Sequence, residues 1–193
     1  VIDPYDIISE YGLDQFRYFL FSEVPFGNDG DFSKNAISKR VNADLSNNYG
    51  NLVQRVSSFI VKNTNSQITK PKKLQEIDSK LISLFDKIFN DYLNYMNGFQ
   101  IDKALKKIFE YLSEVNSYID NQAPWSLKKT DPERMQDVLY VLTLLTIKSS
   151  ILLYPVIPSS IKKALSIYNL SINNLDLTNI INYSPELISI NKS

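Results

Sequence analysis

The feature that most limits what this chain can fold into is residues 138–157, which are apolar nearly all round. Their length matches the ~20 residues that a membrane span needs. They also contain Lys148, several Ser and Thr, and Pro155 close to the end. A lysine near the centre of a span costs roughly 3 kcal/mol on insertion scales. The stretch is therefore expected to be a helix buried inside a soluble bundle, with no membrane partner. Such a helix needs other helices to cover it on every side.

The flanking sequence supplies them. Ile37, Val41, Leu45, Tyr49, Leu52, Val56 and Phe59 recur at steps of three and four, which predicts one amphipathic helix over 33–63. Residues 63–73 are polar, contain Pro71 and read as a loop. Leu74, Ile77, Leu81, Leu84, Ile88, Tyr92 and Tyr95 form a second stripe, ended by Asn97-Gly98. Ile101, Leu105, Ile108, Leu112, Val115 and Ile119 form a third. Two prolines break residues 122–132. Thr130 and Glu133 have capping-box spacing, with Pro132 in the first turn of the central helix. Pro155 and Pro158 end that helix at about residue 154, and a shorter helix covers 159–168. The Asn- and Ser-rich tail gives no assignment. Upstream, residues 4–10 predict a short helix closed by Gly12, and Asp14 is placed to cap a second helix over 15–22. Pro25, Gly27, Asn28, Asp29 and Gly30 predict a hairpin or irregular turn over 24–32. Long helices joined by short loops make an all-α bundle. The expected division is a lead-in over 1–32 and a bundle over 33–193.

Composition narrows the function. At 193 residues, 44% of them hydrophobic, the chain can bury a real core. Lys+Arg and Asp+Glu stand at 21 each, so attraction to nucleic acid must come from a local patch. There is no Cys and no His. Thiolate zinc sites, disulfides, the usual neutral-pH base and the commonest metal ligand are all excluded. Asp29 and Asp31 lack the further ligands of a calcium loop. No phosphate-cradling glycine loop and no catalytic triad is present. The chain begins at Val1 without a signal segment and reads as a piece of a longer cytoplasmic protein.

Three features can carry chemistry. Asn48, Asn51, Arg55 and Lys62 share the polar side of the 33–63 helix, with Asn51 and Arg55 one turn apart. An amide and a guanidinium held together can read a base edge, although a solvated helix face has the same spacing. Trp125, the only Trp, follows Pro124 in a break between helices and could stack an unpaired base or plug the bundle end. Lys128 and Lys129 follow it as possible phosphate contacts, as does Lys62 on its own helix. The lysine pairs at 72–73, 106–107, 128–129 and 162–163 sum either to a basic track or to solvated helix ends.

Several motifs resemble methionyl-tRNA synthetases. Val1-Ile2-Asp3-Pro4, Tyr11-Gly12-Leu13-Asp14 and Arg17-Tyr18-Phe19-Leu20 are similar to the segment after the KMSKS loop of class I synthetases, which leads into the stem-contact fold. Residues 24–33, Asn42-Ala43-Asp44-Leu45, Gly50-Asn51-Leu52-Val53 with Arg55, and Asn121-Gln122-Ala123-Pro124-Trp125 resemble the methionyl family in particular. Leu153-Tyr154-Pro155-Val156-Ile157-Pro158 is similar to an element of the wider class. The resemblance runs from residue 1 to about 165. It implies a class Ia anticodon-binding helix bundle, preceded by a short stem-contact segment, that recognises the CAU anticodon of tRNA(Met). It further implies that Asn51 and Arg55 read the first anticodon base, that Trp125 stacks on it, that Pro124 shapes the loop and that Asp120 helps reject other anticodons. Catalysis with ATP and magnesium is implied for a missing N-terminal part, because the family's HIGH motif needs His. The chain itself is expected to hold no cofactor and no metal, and a monomeric parent is expected.

Two other readings make separate forecasts. A purely structural or protein-interaction bundle would show no tRNA affinity. The corresponding domain of another class Ia synthetase would share the lead-in but lack the Asn–Arg pair and the Pro-Trp turn together.

Overall fold

The computed structural model describes residues 2–23 and 32–191, and the expected turn over 24–32 lies, up to residue 31, outside them. Helix α1 spans Pro4–Tyr11, with Asp3 accepting the Tyr5 amide at its start. It stops where Gly12 takes φ 98, a left-handed conformation open to glycine. Helix α2 follows over Leu13–Glu23. Asp14 lies inside its first turn, not at its cap, and is buried. The carboxylate instead accepts the Ser160 amide at 2.6 Å, in the first turn of a helix 146 residues away. One turn along α2, Arg17 donates to the carbonyls of Val156 and Pro155 at 2.9 and 2.8 Å. An anion thus meets a helix start and a cation meets the carbonyls past a helix end, as the helix dipoles favour.

The expected helix over 33–63 is continuous but not uniform. Ser33 caps α3 over Lys34–Arg40, a π-helical stretch runs Val41–Gly50, and α4 covers Asn51–Asn63. Along this helix Ile37, Val41 and Tyr49 of the predicted stripe are buried and Leu45 is partly buried.

Helices α5 (Glu76–Asn97), α6 (Ile101–Gln122) and α8 (Pro132–Leu153) form the body of the bundle. The third stripe faces the core as expected; of the second, Leu81, Ile88 and Tyr92 are buried, Ile77 is exposed, and Phe85 and Phe89 are buried beside them. α8 is central: 89% of its most apolar window is buried by the rest of the fold. Lys148 is buried there, donates to the Ile181 carbonyl at 3.0 Å and lies 5.2 Å from the Phe85 ring centroid. Desolvation holds its amine below the usual lysine range. Asp131, not Thr130, caps α8 by accepting the Arg134 amide, while Thr130 donates to the Ser126 carbonyl.

Helix α9 covers Pro158–Ile167. The loop expected over 63–73 contains strand β1 (Gln67–Thr69), paired antiparallel with β2 (Leu187–Ser189) so that Ile68 faces Ile188. The unassigned tail thereby returns to the bundle and buries Leu175, Ile180, Ile188 and Ile190. A second, small core joins Ile7 and Phe19 to Ile37 and Val41.

Candidate functional site

The site forms where α4, the end of α6 and a short helix meet. Ala123 follows α6 with φ 46, a left-handed turn. It redirects the chain into α7, Pro124–Thr130, whose first residue is the proline. A proline is favoured there because its fixed φ suits a first helical turn and its missing N–H would be unpaired anyway. Trp125 is therefore the second residue of a helix and not a loop residue as expected. Pro124 is buried against the bundle, which directs the next side chain outward: Trp125 is 45% exposed. The expectation of a sealed plug fails on that exposure.

On the facing wall stands Arg55, one turn into α4. Its guanidinium lies 5.8 Å from the indole centroid, within the ~6 Å reach of a cation–π contact. Its Nη2 donates to Asp120 Oδ1 at 2.8 Å. The two side chains are 33% and 63% exposed, so this pair adds ~0–1 kcal/mol to stability and chiefly orients the guanidinium. Among the described residues its remaining N–H donors have no side-chain partner. Arg55, Trp125, Pro124, Val56, Phe59, Ile119 and Leu139 line a hollow of about 210 Å³. Small-molecule sites usually run to about 300–1,000 Å³. The hollow is below that range, which suits one planar ring whose sugar and phosphate stay outside.

Arg55, Asp120, Pro124 and Trp125 are thus brought together. Asn51, the first residue of α4, lies one turn from Arg55 on the same face and is exposed. Asn51 is not among the residues that line the hollow. Asn48, expected on the same polar side, is turned away: it accepts from Asn116 at 2.8 Å and donates to Ser113 and the Phe109 carbonyl on α6. Lys128 and Lys129 are exposed in the last turn of the helix that carries Trp125. Lys62 instead borders a second cleft, of about 280 Å³, with Ser166 and Asn191. Among the described residues no group of three or more acidic, His or Cys side chains is placed to hold a metal.

Sequence reasoning missed the support beneath this site. Gln122 accepts from Arg134 Nη2 at 2.8 Å, and the Arg134 guanidinium makes two bonds to Asp78, at 2.7 and 2.8 Å. Burial pushes the Asp78 carboxyl up, but the bonds from Arg134, Tyr118 and the Gln75 amide outweigh it and hold the group below its ordinary value. The available signal was an arginine near the start of an otherwise apolar helix, and an aspartate on the stripe side of α5.

The chain is similar to known proteins over most of its length. Residues 1–57 match a family model described as tRNA synthetases class I (M), and residues 68–182 match the anticodon binding domain of methionyl tRNA ligase. The chain is 43% identical over 167 residues to the methionine–tRNA ligase of Brucella suis, covering 86% of this chain and 32% of that protein. It is 41% identical over 180 residues to the same enzyme of Mesorhizobium japonicum, covering 93% and 35%. A crystal structure of Mycobacterium tuberculosis methionyl-tRNA synthetase bound by methionyl-adenylate superposes with a TM-score of 0.94 at 30% identity, over 100% of this chain and 39% of that one. The chain spans about a third of the length of these curated relatives.

Proposed function

The chain belongs to the methionyl-tRNA ligase family and carries its anticodon-binding domain, and from this we propose that its hollow reads the first base of the CAU anticodon of tRNA(Met). The observation that carries the reading is the outward-facing Trp125 indole set 5.8 Å from the Arg55 guanidinium. Proteins that read RNA sequence take bases splayed out of loops, stack them on aromatic or guanidinium planes and hydrogen-bond their edges. Trp125 supplies the stack. Arg55 supplies edge donors, and Asn51, one turn away, adds an amide that both donates and accepts. Asp120 keeps Arg55 aimed at the hollow and opposes bases or phosphates that would bring negative charge beside it. Pro124 sets the direction of the indole. Lys128, Lys129 and, farther off, Lys62 would meet phosphates.

Residues 1–32 would form the end of a stem-contact unit and 33–193 the bundle. Asp14 and Arg17 tie the two through the corner between α8 and α9. The whole protein would ligate methionine to tRNA(Met), with ATP and magnesium bound in the N-terminal catalytic part, as a cytoplasmic monomer.

Replacing Trp125 by Ala tests the reading. The affinity for a CAU anticodon stem-loop is expected to fall by the ~1–3 kcal/mol of a lost base stack. Unchanged affinity in a folded variant would remove the stacking role.

A further inference from the structure

Trp125 stands on a segment with little intrinsic stability. α7 has seven residues, too few to persist alone. The Ala123 turn before it is left-handed, a conformation that a residue with a Cβ adopts only at a cost. Both ends of α7 nevertheless return to one residue, Arg134, by its backbone amide at one end and its guanidinium at the other. After its last residue, the Asp131 carboxylate accepts the Arg134 amide at 3.0 Å. Before its first, the Gln122 carbonyl oxygen accepts from the Arg134 guanidinium at 2.8 Å. That guanidinium is itself held in the interior by Asp78, which also accepts the Tyr118 hydroxyl at 2.7 Å and the Gln75 amide at 2.9 Å. Asp78 is 0% exposed and Arg134 7%. Side chains from α5, α6 and α8 therefore meet in one ionic knot, and the flank before α7 is tied to it through Gln122.

We propose that Arg134, oriented by Asp78, is a positioning residue for the reading site: through Gln122 its guanidinium braces the turn into α7, a bracket that fixes how the Trp125 indole faces the Arg55 guanidinium. The proposal rests on the reading of Trp125 as a base platform. Gln122 separates it from a purely structural role for the pair. It lies at the edge of the knot, so removing its amide leaves the Asp78–Arg134 bonds in place and releases only the flank of α7.

The 193-residue chain allows a direct test because its emission comes from one tryptophan. Gln122→Ala removes the acceptor, and Gln122→Glu keeps one for Arg134. Both should retain the wild-type circular dichroism. In Gln122→Ala, Trp125 should gain fast local motion in anisotropy decay and become more open to acrylamide quenching, and CAU stem-loop affinity should fall about tenfold, the scale of one charge-assisted hydrogen bond. Gln122→Glu should restore all three. Wild-type motion and quenching in Gln122→Ala would overturn the proposal, whatever happens to RNA binding. So would equal losses in both variants, or loss of the folded spectrum in Gln122→Ala, which would make the residue a support of the whole fold. If the wild-type chain binds all anticodon loops alike, the base-reading role fails, while the fluorescence comparison still judges the bracket.

Discussion

Arg55 has two neighbours of opposite kind, a carboxylate at 2.8 Å and an indole face at 5.8 Å. Between them they hold the guanidinium in one plane before any base arrives, which lowers the ordering cost of binding. Arg55→Ala should therefore reduce discrimination among first anticodon bases by ~1–3 kcal/mol, if the base-edge scale from DNA applies. Competition between CAU stem-loops and loops altered at that base measures it. Equal losses for all loops would instead assign Arg55 to a phosphate. Asp120→Asn should act in the opposite sense on affinity. Removing a negative charge beside RNA strengthens binding of every loop, and losing the Arg55 partner narrows the gap between cognate and altered ones. Binding isotherms at two salt concentrations would show both effects, and unchanged selectivity would dismiss Asp120 as an aiming residue.

At the scale of elements, Gly50 closes the π-helical stretch directly before Asn51. A helical glycine replaced by alanine normally gains ~0.5–1 kcal/mol in backbone entropy. Here a Cβ would lie 2.9 Å from the Leu45 carbonyl oxygen, a backbone atom that cannot turn aside. Overpacking of that kind costs ~1–3 kcal/mol, so the clash outweighs the gain. Gly50→Ala should lower the thermal midpoint, and a rise would show that the π turn yields without strain. Much of this architecture is legible in sequence because apolar spacing records which face is buried: the third stripe and the all-round apolar α8 are plain. The π stretch was not legible, because apolar steps of four fit an α-helix about as well as the wider turn. Asp14 illustrates what spacing cannot give. It sits where a local cap belongs, yet serves a helix 146 residues away, and only the closed fold brings the two together.

Across the whole molecule, the knot of Asp78 and Arg134 joins α5 and α8 to α6, the helix whose end carries part of the site. Breaking a buried pair by removing one member costs ~3–5 kcal/mol, so Asp78→Ala should lose that much in urea unfolding. The pH dependence has a definite sign. The Asp78 carboxyl is held below its ordinary value in the fold. Its contribution is therefore complete above the unfolded carboxylate pKa of ~4 and is lost as pH falls through that range and below. Wild type should weaken more steeply than Asp78→Ala on acidification, and parallel acid limbs would contradict the assignment. The tail shows the remaining limit of sequence reading. Leu175, Ile180, Ile188 and Ile190 are too sparse among Asn and Ser to form a stripe, and β2 gains its meaning only from β1, more than a hundred residues earlier. Arg55 and Trp125, which the fold brings together, were singled out in the sequence by residue type and by resemblance. The geometry of the site was not legible: Asn51 lies outside the lining of the hollow, and the Gln122–Arg134 bond that the proposed bracket uses has no signature in spacing. Catalysis is expected to reside elsewhere in the enzyme: the 193 residues alone should support no methionine-dependent ATP–pyrophosphate exchange, and turnover by the purified chain would refute that.

Fluorescence titration of the single tryptophan with anticodon stem-loops bears on the base-reading role most directly. Saturable quenching of Trp125 by a CAU loop is expected, with a loop altered only at its first anticodon base binding more weakly by ~1–3 kcal/mol, the worth of a lost base-edge contact. Identical curves for the two loops, or binding that leaves the emission unchanged, would contradict it.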